Sequence, residues 1–202
     1  MTPPKYAAVV LAAGMSTRAG TVNKLLLPFG GSTLLGCVLD AVRASGVDEI
    51  IVVTGYQANR IRPVVTSHLH GAPKRWRIVH APDFARGLSA SLKAGLRAVH
   101  PSALGAVVCL GDMPLVAPAV VDRLIKSQLL RSLAAIPTCR GKWGNPVLLS
   151  RALFPRIMRL TGDQGARPVL NRIKGRIRLL ELADPGIQTD IDTPEMLKRL
   201  RT

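Results

Sequence analysis

The sequence is short of acidic residues, aromatic residues and cysteine, and each shortage removes a class of function. Twelve Asp and Glu stand against 28 Lys and Arg, a formal net charge of +16. Such an excess concentrates anions at a surface, so nucleic acid has to be weighed as a partner. The cations are spread along the chain, however, and the densest cluster, Lys74-Arg75-Trp76-Arg77, holds only three of them. Two Trp, two Tyr and three Phe are too few for a surface that stacks single-stranded bases. Zinc-finger and RNA-recognition signatures are missing as well. The charge reads as a solvated basic surface that favours polyanionic small molecules, with no nucleic acid partner.

Cys37, Cys109 and Cys139 are odd in number, far apart and free of CxxC spacing. They argue for a reducing compartment and against a disulfide or zinc framework. The histidines offer only His68-Leu69-His70 as a pair, with no further ligand beside it. No apolar run approaches the ~20 residues of a membrane span. Met1-Thr2-Pro3-Pro4-Lys5 leads directly into an apolar segment, without the pattern of a signal peptide. The expectation is a cytoplasmic protein with no membrane partner.

What is present is an alternation of strand and helix signals. With 48% of its 202 residues hydrophobic, the chain can bury one good core, and 1–202 is expected to be a single domain. Apolar runs at 6–11, 49–54, 76–79, 105–110, 133–136 and 177–181 read as strands. Helices are expected over 33–44 with Ser32 as cap, over a short stretch around Ile61 interrupted near Pro63, and over 88–99. Others are expected from Pro118 to about 130, from about Arg151, and after Pro194. This order predicts an α/β fold, a mostly parallel sheet with helices on both faces. Ligands of such folds bind at the carboxyl ends of the strands.

The stretch around which the rest is organised follows the first strand: Leu11-Ala12-Ala13-Gly14-Met15-Ser16-Thr17-Arg18-Ala19-Gly20, then Asn23-Lys24-Leu25-Leu26. Small residues let backbone N–H groups approach anionic oxygens closely. Arg18 can fork onto a phosphate and Lys24 can act as a mobile point charge. The loop is neither GxxxxGK[ST] nor GxGxxG. It suits a triphosphate, though an ordinary strand-to-helix loop with two solvated cations has the same spacing.

Thr54-Gly55, Asp112 and Asp190/Asp192 lie just past other expected strands, at the same address. Taken singly, Asp112 reads as a turn aspartate and Asp190 and Asp192 as helix-capping residues. Taken together, carboxylates ~4 Å apart would repel by about 4 kcal/mol at an effective dielectric of 20, and a divalent cation reverses that sign. Mg²⁺ prefers one or two carboxylates plus substrate phosphates and waters. With Arg18 and Lys24, these are the parts for attack on the α-phosphorus of a nucleoside triphosphate, where catalysis is positioning and charge neutralisation.

These motifs, with Gly87, Ser89 and Ser91, Gly111-Asp112-Met113-Pro114, Gly162-Asp163-Gln164-Gly165-Ala166-Arg167 and Asp190-Ile191-Asp192-Thr193-Pro194-Glu195, resemble in order and spacing the molybdenum cofactor nucleotidyltransferases. The resemblance covers nearly the whole chain. It implies a Rossmann-like three-layer α/β/α sandwich of the nucleotide-diphospho-sugar transferase type, with a nucleotide-binding half (1–115) and an acceptor-binding half (116–202). Leu-Ala-Ala-Gly resembles the cytidylyltransferase branch, whereas the guanylyl branch shows Leu-Ala-Gly-Gly. The Ala13 methyl would leave room for the smaller pyrimidine, a discrimination of ~1–3 kcal/mol.

The implied reaction joins CMP from CTP to molybdenum-bound molybdopterin, with release of pyrophosphate. By position, Leu11, Ala12, Ala13 and Gly14 would hold base and ribose. Ser16, Thr54, Gly55, Gly87, Ser89 and Ser91 would sit beside the nucleotide, and Arg18 and Lys24 would take the triphosphate. Asp112, Asp190 and Asp192 would hold Mg²⁺, and Arg18, Lys24 and Asp112 would be the catalytic set. Asn145, Asp163 and Arg167 would face the pterin phosphate, Asp163 being either a substrate contact or a turn residue.

Two departures from the family pattern are Ala19, where relatives carry Met, and Ala81, where they carry Asn. Three alternatives stay open. They are a transferase using GTP or another phosphorylated acceptor, a non-catalytic cofactor carrier for a molybdenum hydroxylase, and a small oxidoreductase.

Overall fold

The computed structural model describes residues 5–15, 23–127, 132–191 and 196. The chain opens with β1 (Tyr6–Ala12), a small hairpin of β2 (Pro28–Phe29) and β3 (Ser32–Thr33), and α1 (Leu34–Ala44). It continues through β4 (Glu49–Thr54), α2 (Ala58–Leu69), β5 (Arg75–His80), α3 (Leu88–Ala98), β6 (Gly105–Leu110) and α4 (Pro118–Lys126). The second half holds β7 (Ala134–Cys139), β8 (Lys142–Trp143), β9 (Val147–Ser150), α5 (Phe154–Ile157), α6 (Arg167–Asn171) and β10 (Ile177–Glu181).

The sheet runs β10-β7-β9-β6-β1-β4-β5, with β8 attached to β7. Pairings on either side of β1 and at the β5 and β10 edges are parallel. Within this sheet, among the described residues, the β9 and β8 contacts are antiparallel.

Alternation along each strand divides the core into two layers. Val9, Leu11, Ile51 and Val53 face Leu92 and Leu96 of α3, Phe154 of α5 and Leu170 of α6. Val10, Ala12, Ile50 and Val52 face Leu35 and Leu39 of α1, Ile61 of α2 and Leu124 of α4. The central strands are buried on both sides, which is why they read as continuous Ala/Val/Ile runs. Each fully buried aliphatic side chain contributes about 1.5–3 kcal/mol.

Three local expectations are revised. Thr33, not Ser32, caps α1: its Oγ1 accepts the Gly36 N–H at 3.0 Å. Ser32 turns to His68, whose Nε2 is 3.2 Å from the Ser32 hydroxyl, while Asp40 holds the other ring nitrogen at 2.8 Å. Helix α2 runs straight through Pro63. Its buried stripe of Ile61, Val65 and Leu69 outweighs one lost hydrogen bond on a face where Asn59 and Pro63 are exposed. The apolar run after Pro146 forms β9, inserted antiparallel between β6 and β7. Only a 3-10 turn and the single turn of α5 follow it.

Candidate active site

Two clefts open at the carboxyl end of the sheet and meet at Leu110, which lines both. The first, about 590 Å³, is floored by Leu11, Ala13 and Gly14 and walled by Lys24, Gly87, Ser91 and Asp112. The end of β1 is held from both sides. The Gly111 N–H donates to the Leu11 carbonyl at 3.0 Å, and the Tyr56 N–H donates to that of Ala13 at 3.2 Å. Among the described residues, a Cβ built on Gly14 would meet nothing within 4 Å, which leaves this backbone free of them for a close approach by a ligand.

Lys24 sits in a 3-10 turn, Lys24–Leu26, whose start is capped by Asn23 Oδ1 accepting the Leu25 N–H at 3.1 Å. Asn23 is fully buried and Leu25 nearly so, which anchors the turn from beneath. From it the Lys24 ammonium reaches Asp112 Oδ2 at 2.7 Å, with both side chains mostly shielded from solvent. Asp112 is also a backbone junction: its carbonyl accepts the Ile191 N–H at 3.0 Å. That bond brings Asp190, which lines the second cleft, to within one residue of the Asp112 main chain.

Asp112 in the first cleft and Asp190 in the second offer hard carboxylate oxygens, the donor type of a divalent cation that takes its remaining ligands from phosphate and water. No group of three His, Cys, Asp or Glu poised for a metal occurs among the described residues. Two carboxylates plus a phosphate-bearing substrate satisfy Mg²⁺ without one.

Other expected residues are placed differently. Ala12 points into the opposite core layer. Thr54 is buried, its hydroxyl donating to the Val79 carbonyl at 3.4 Å. A Cβ on Gly55 would lie 2.6 Å from Phe84 and 2.8 Å from the Ala13 carbonyl. These positions shape the cleft wall from behind. Ser89 is buried, with its N–H donating to the Gly162 carbonyl at 3.3 Å, while Ser91 reaches the cleft. Asp163 lies in the first cleft, where its Oδ1 accepts the Leu88 N–H at 3.1 Å. Ser16, Arg18 and Asp192 lie outside the described residues.

The second cleft, about 870 Å³, collects Asn145, Arg167 and Asp190 with Lys142, Trp143, Asn171, Lys174 and Gln188. The Asn145 N–H donates to the Ile187 carbonyl at 2.7 Å, tying the β8–β9 loop to the segment that carries Asp190. Sequence reasoning missed the last five of these residues, together with Asn23, Phe84 and Arg86. Only Asn23 carried a local signal, an amide immediately before the Lys24 turn.

Residues 8–177 match the MobA-like NTP transferase domain. The chain belongs to that family. It is 32% identical to the purine catabolism protein PucB of Bacillus subtilis, over 100% of this chain and 98% of that one. It is 30% identical to the nicotine blue oxidoreductase of Paenarthrobacter nicotinovorans, covering 98% and 97% of the two chains. It is also 30% identical to the molybdenum cofactor cytidylyltransferase of Escherichia coli, covering 93% and 91%.

Among solved structures, the manganese complex of Rv0371C from Mycobacterium tuberculosis is similar, with a TM-score of 0.78, 32% identity and 97% of each chain covered. The 4-diphosphocytidyl-2C-methyl-D-erythritol synthase of Anaerococcus prevotii shares the fold, with a TM-score of 0.76 at 17% identity and 98% and 96% of the two chains covered. The architecture of this MobA-like domain is thus the mostly parallel α/β/α sandwich of nucleotide-diphospho-sugar-type nucleotidyltransferases, as the sequence motifs imply.

Proposed function

We propose that the protein transfers CMP from CTP to molybdenum-bound molybdopterin, releasing pyrophosphate. The observation that carries this reading is the Lys24–Asp112 pair in the first cleft, joined through the Ile191–Asp112 backbone bond to the segment that carries Asp190 into the second. One cleft then takes the nucleotide and the other the acceptor, and the carboxylates sit where the two substrates meet.

In the reaction, a phosphate oxygen of the acceptor bonds to the α-phosphorus as the bond from that phosphorus to the bridging oxygen breaks, and pyrophosphate departs with the electron pair. Lys24 and Arg18 neutralise charge on the triphosphate and on the departing group. Leu11 to Gly14 hold the base and ribose, with Ala13 favouring cytosine. Asp112 with Asp190 and Asp192 would hold Mg²⁺, which when bound supplies charge neutralisation at the α-phosphate. Lys142, Arg167 and Lys174 surround the acceptor cleft with positive charge, as an anionic pterin needs. The similarity to the molybdenum cofactor cytidylyltransferase supports the substrate pair, and the manganese complex of Rv0371C supports a divalent cation.

The three cysteines, none of them in a disulfide, fit a cytoplasmic location. No described helix is long and apolar enough to cross a membrane.

A second reading is favoured by the near full-length similarity to PucB and to a nicotine blue oxidoreductase. In it the fold binds cofactor without nucleotidyl transfer, as a carrier for a molybdenum hydroxylase, or supports a redox reaction. The deciding experiment measures pyrophosphate release with Mg²⁺ and molybdenum-loaded molybdopterin, comparing CTP, GTP and ATP. Release with CTP well above GTP supports cytidylyl transfer, and a GTP preference overturns the base assignment. Cofactor binding without release from any nucleotide moves the assignment to the carrier.

A further inference from the structure

The segment 162–167 touches both clefts. Asp163 lines the first, while Arg167, four residues later, opens α6 and lines the second together with Asn171. Three contacts fasten the front of this segment to the start of α3. Asp163 Oδ1 accepts the N–H of Leu88, the first residue of the helix, at 3.1 Å. The Ser89 N–H donates to the Gly162 carbonyl at 3.3 Å. Gly87, at φ +104°, lies so close that an added Cβ would be 2.6 Å from the Asp163 nitrogen.

The N-cap residue of α3, Gly87, has no capping side chain of its own. Its place is taken by a carboxylate 75 residues away in sequence. A carboxylate there is favoured both by the unpaired N–H and by the helix dipole. Gly162, itself at φ +71°, makes the turn that presents it.

From this geometry we infer that Asp163 is a positioning residue that couples the two clefts. Its hydrogen bond to Leu88 fixes the rim of the nucleotide cleft and, through 164–167, the start of α6 and the Arg167 side of the acceptor cleft. Nucleotide that orders the Gly87–Leu88 rim then also orders the acceptor side, and by linkage the acceptor tightens nucleotide to the same degree. The inference rests on the first cleft being the nucleotide site.

The test uses the full chain and backbone amide exchange, with Mg²⁺-CTP as the probe and no acceptor present. In the unaltered protein, saturating CTP slows exchange both at 87–91 and across 166–171. In Asp163→Ala, exchange at Leu88 in the free protein speeds up by roughly two- to thirtyfold, the range for loss of a helix cap. CTP then binds more weakly and, even at saturation, leaves 166–171 unprotected. Asp163→Asn keeps an acceptor oxygen for the Leu88 N–H and retains the coupled protection, which a requirement for charge alone would not allow.

Protection of 166–171 by CTP in Asp163→Ala overturns the coupling and leaves the nucleotide reading intact. The same is true if Asp163→Asn behaves as Asp163→Ala. Absence of any nucleotide binding by the unaltered protein overturns the nucleotide reading, and the coupling with it.

Discussion

The ammonium of Lys24 and the carboxylate of Asp112, 88 residues apart in sequence, meet at 2.7 Å between the ends of β1 and β6. Lys24 holds Asp112 in place and at the same time supplies the positive charge that a triphosphate would draw. The two substitutions therefore part company. Lys24→Ala is expected to weaken CTP binding by about tenfold, the loss of one charge-assisted contact of ~1.5 kcal/mol. Asp112→Asn is expected to leave CTP binding within a fewfold and to cut turnover by about 10²–10³, the scale for removing a group that acts on developing charge. Titration of CTP and single-turnover pyrophosphate release measure the two effects separately.

Ala13 is almost fully buried, yet it forms part of the floor of the nucleotide cleft. Ala13→Gly removes one methyl there and is expected to shift the CTP-to-GTP ratio of kcat/KM toward GTP by about 10-fold, the worth of a methyl-sized change in a pocket. Competition between the two nucleotides in one reaction reads this directly. An unchanged ratio would remove Ala13 from base selection.

Gly36 lies in the first turn of α1, where an added Cβ would meet the Ser32 hydroxyl and would be 2.7 Å from His68 Nε2. The Ser32–His68–Asp40 chain of hydrogen bonds ties the β2–β3 hairpin to α1 and α2, and it exists because that position has no side chain. Gly36→Ala is expected to lower stability by about 1–3 kcal/mol despite the higher helix propensity of alanine. Urea denaturation should show a lower midpoint with an unchanged slope.

Burial pushes the Cys109 thiol from its ordinary value of 9.0 up to about 12. Burial, and next to it the charge of Asp40, also raises the Cys37 thiol, while Cys139 is almost fully buried. At pH 8 an aromatic disulfide reagent is therefore expected to react slowly with Cys37 and to reach Cys109 and Cys139 only on unfolding. The sign for stability follows from Cys109. The unfolded chain loses this proton first, so the contribution is complete below pH 9.0 and is lost as pH rises toward 12. Denaturation midpoints in that window should fall more steeply for the native sequence than for Cys109→Ala.

Local composition specified the central strands and the small-residue segments that leave them. Residues 49–54 and 105–110 are apolar runs closed by Thr54-Gly55 and Gly111-Asp112, and they fold as β4 and β6 with those bounds. A strand buried on both faces has to be written as such a run, and small or turn-forming residues have to follow it. Ala13, Gly14 and Asp112 follow the same rule, each standing within two residues of a strand end.

Other features depend on contacts between distant segments. That Asp163 caps α3, that Thr54 and Gly55 stand behind the cleft wall, and that Ser32 serves His68 are contacts with partners 25 to 75 residues away. The second cleft is the extreme case. Lys142, Trp143, Asn171, Lys174 and Gln188 come from three separate pieces of chain, which the fold sets around one volume. No local period or motif encodes such a gathering, because what selects it is the shared burial of two core layers, a property of the whole sheet.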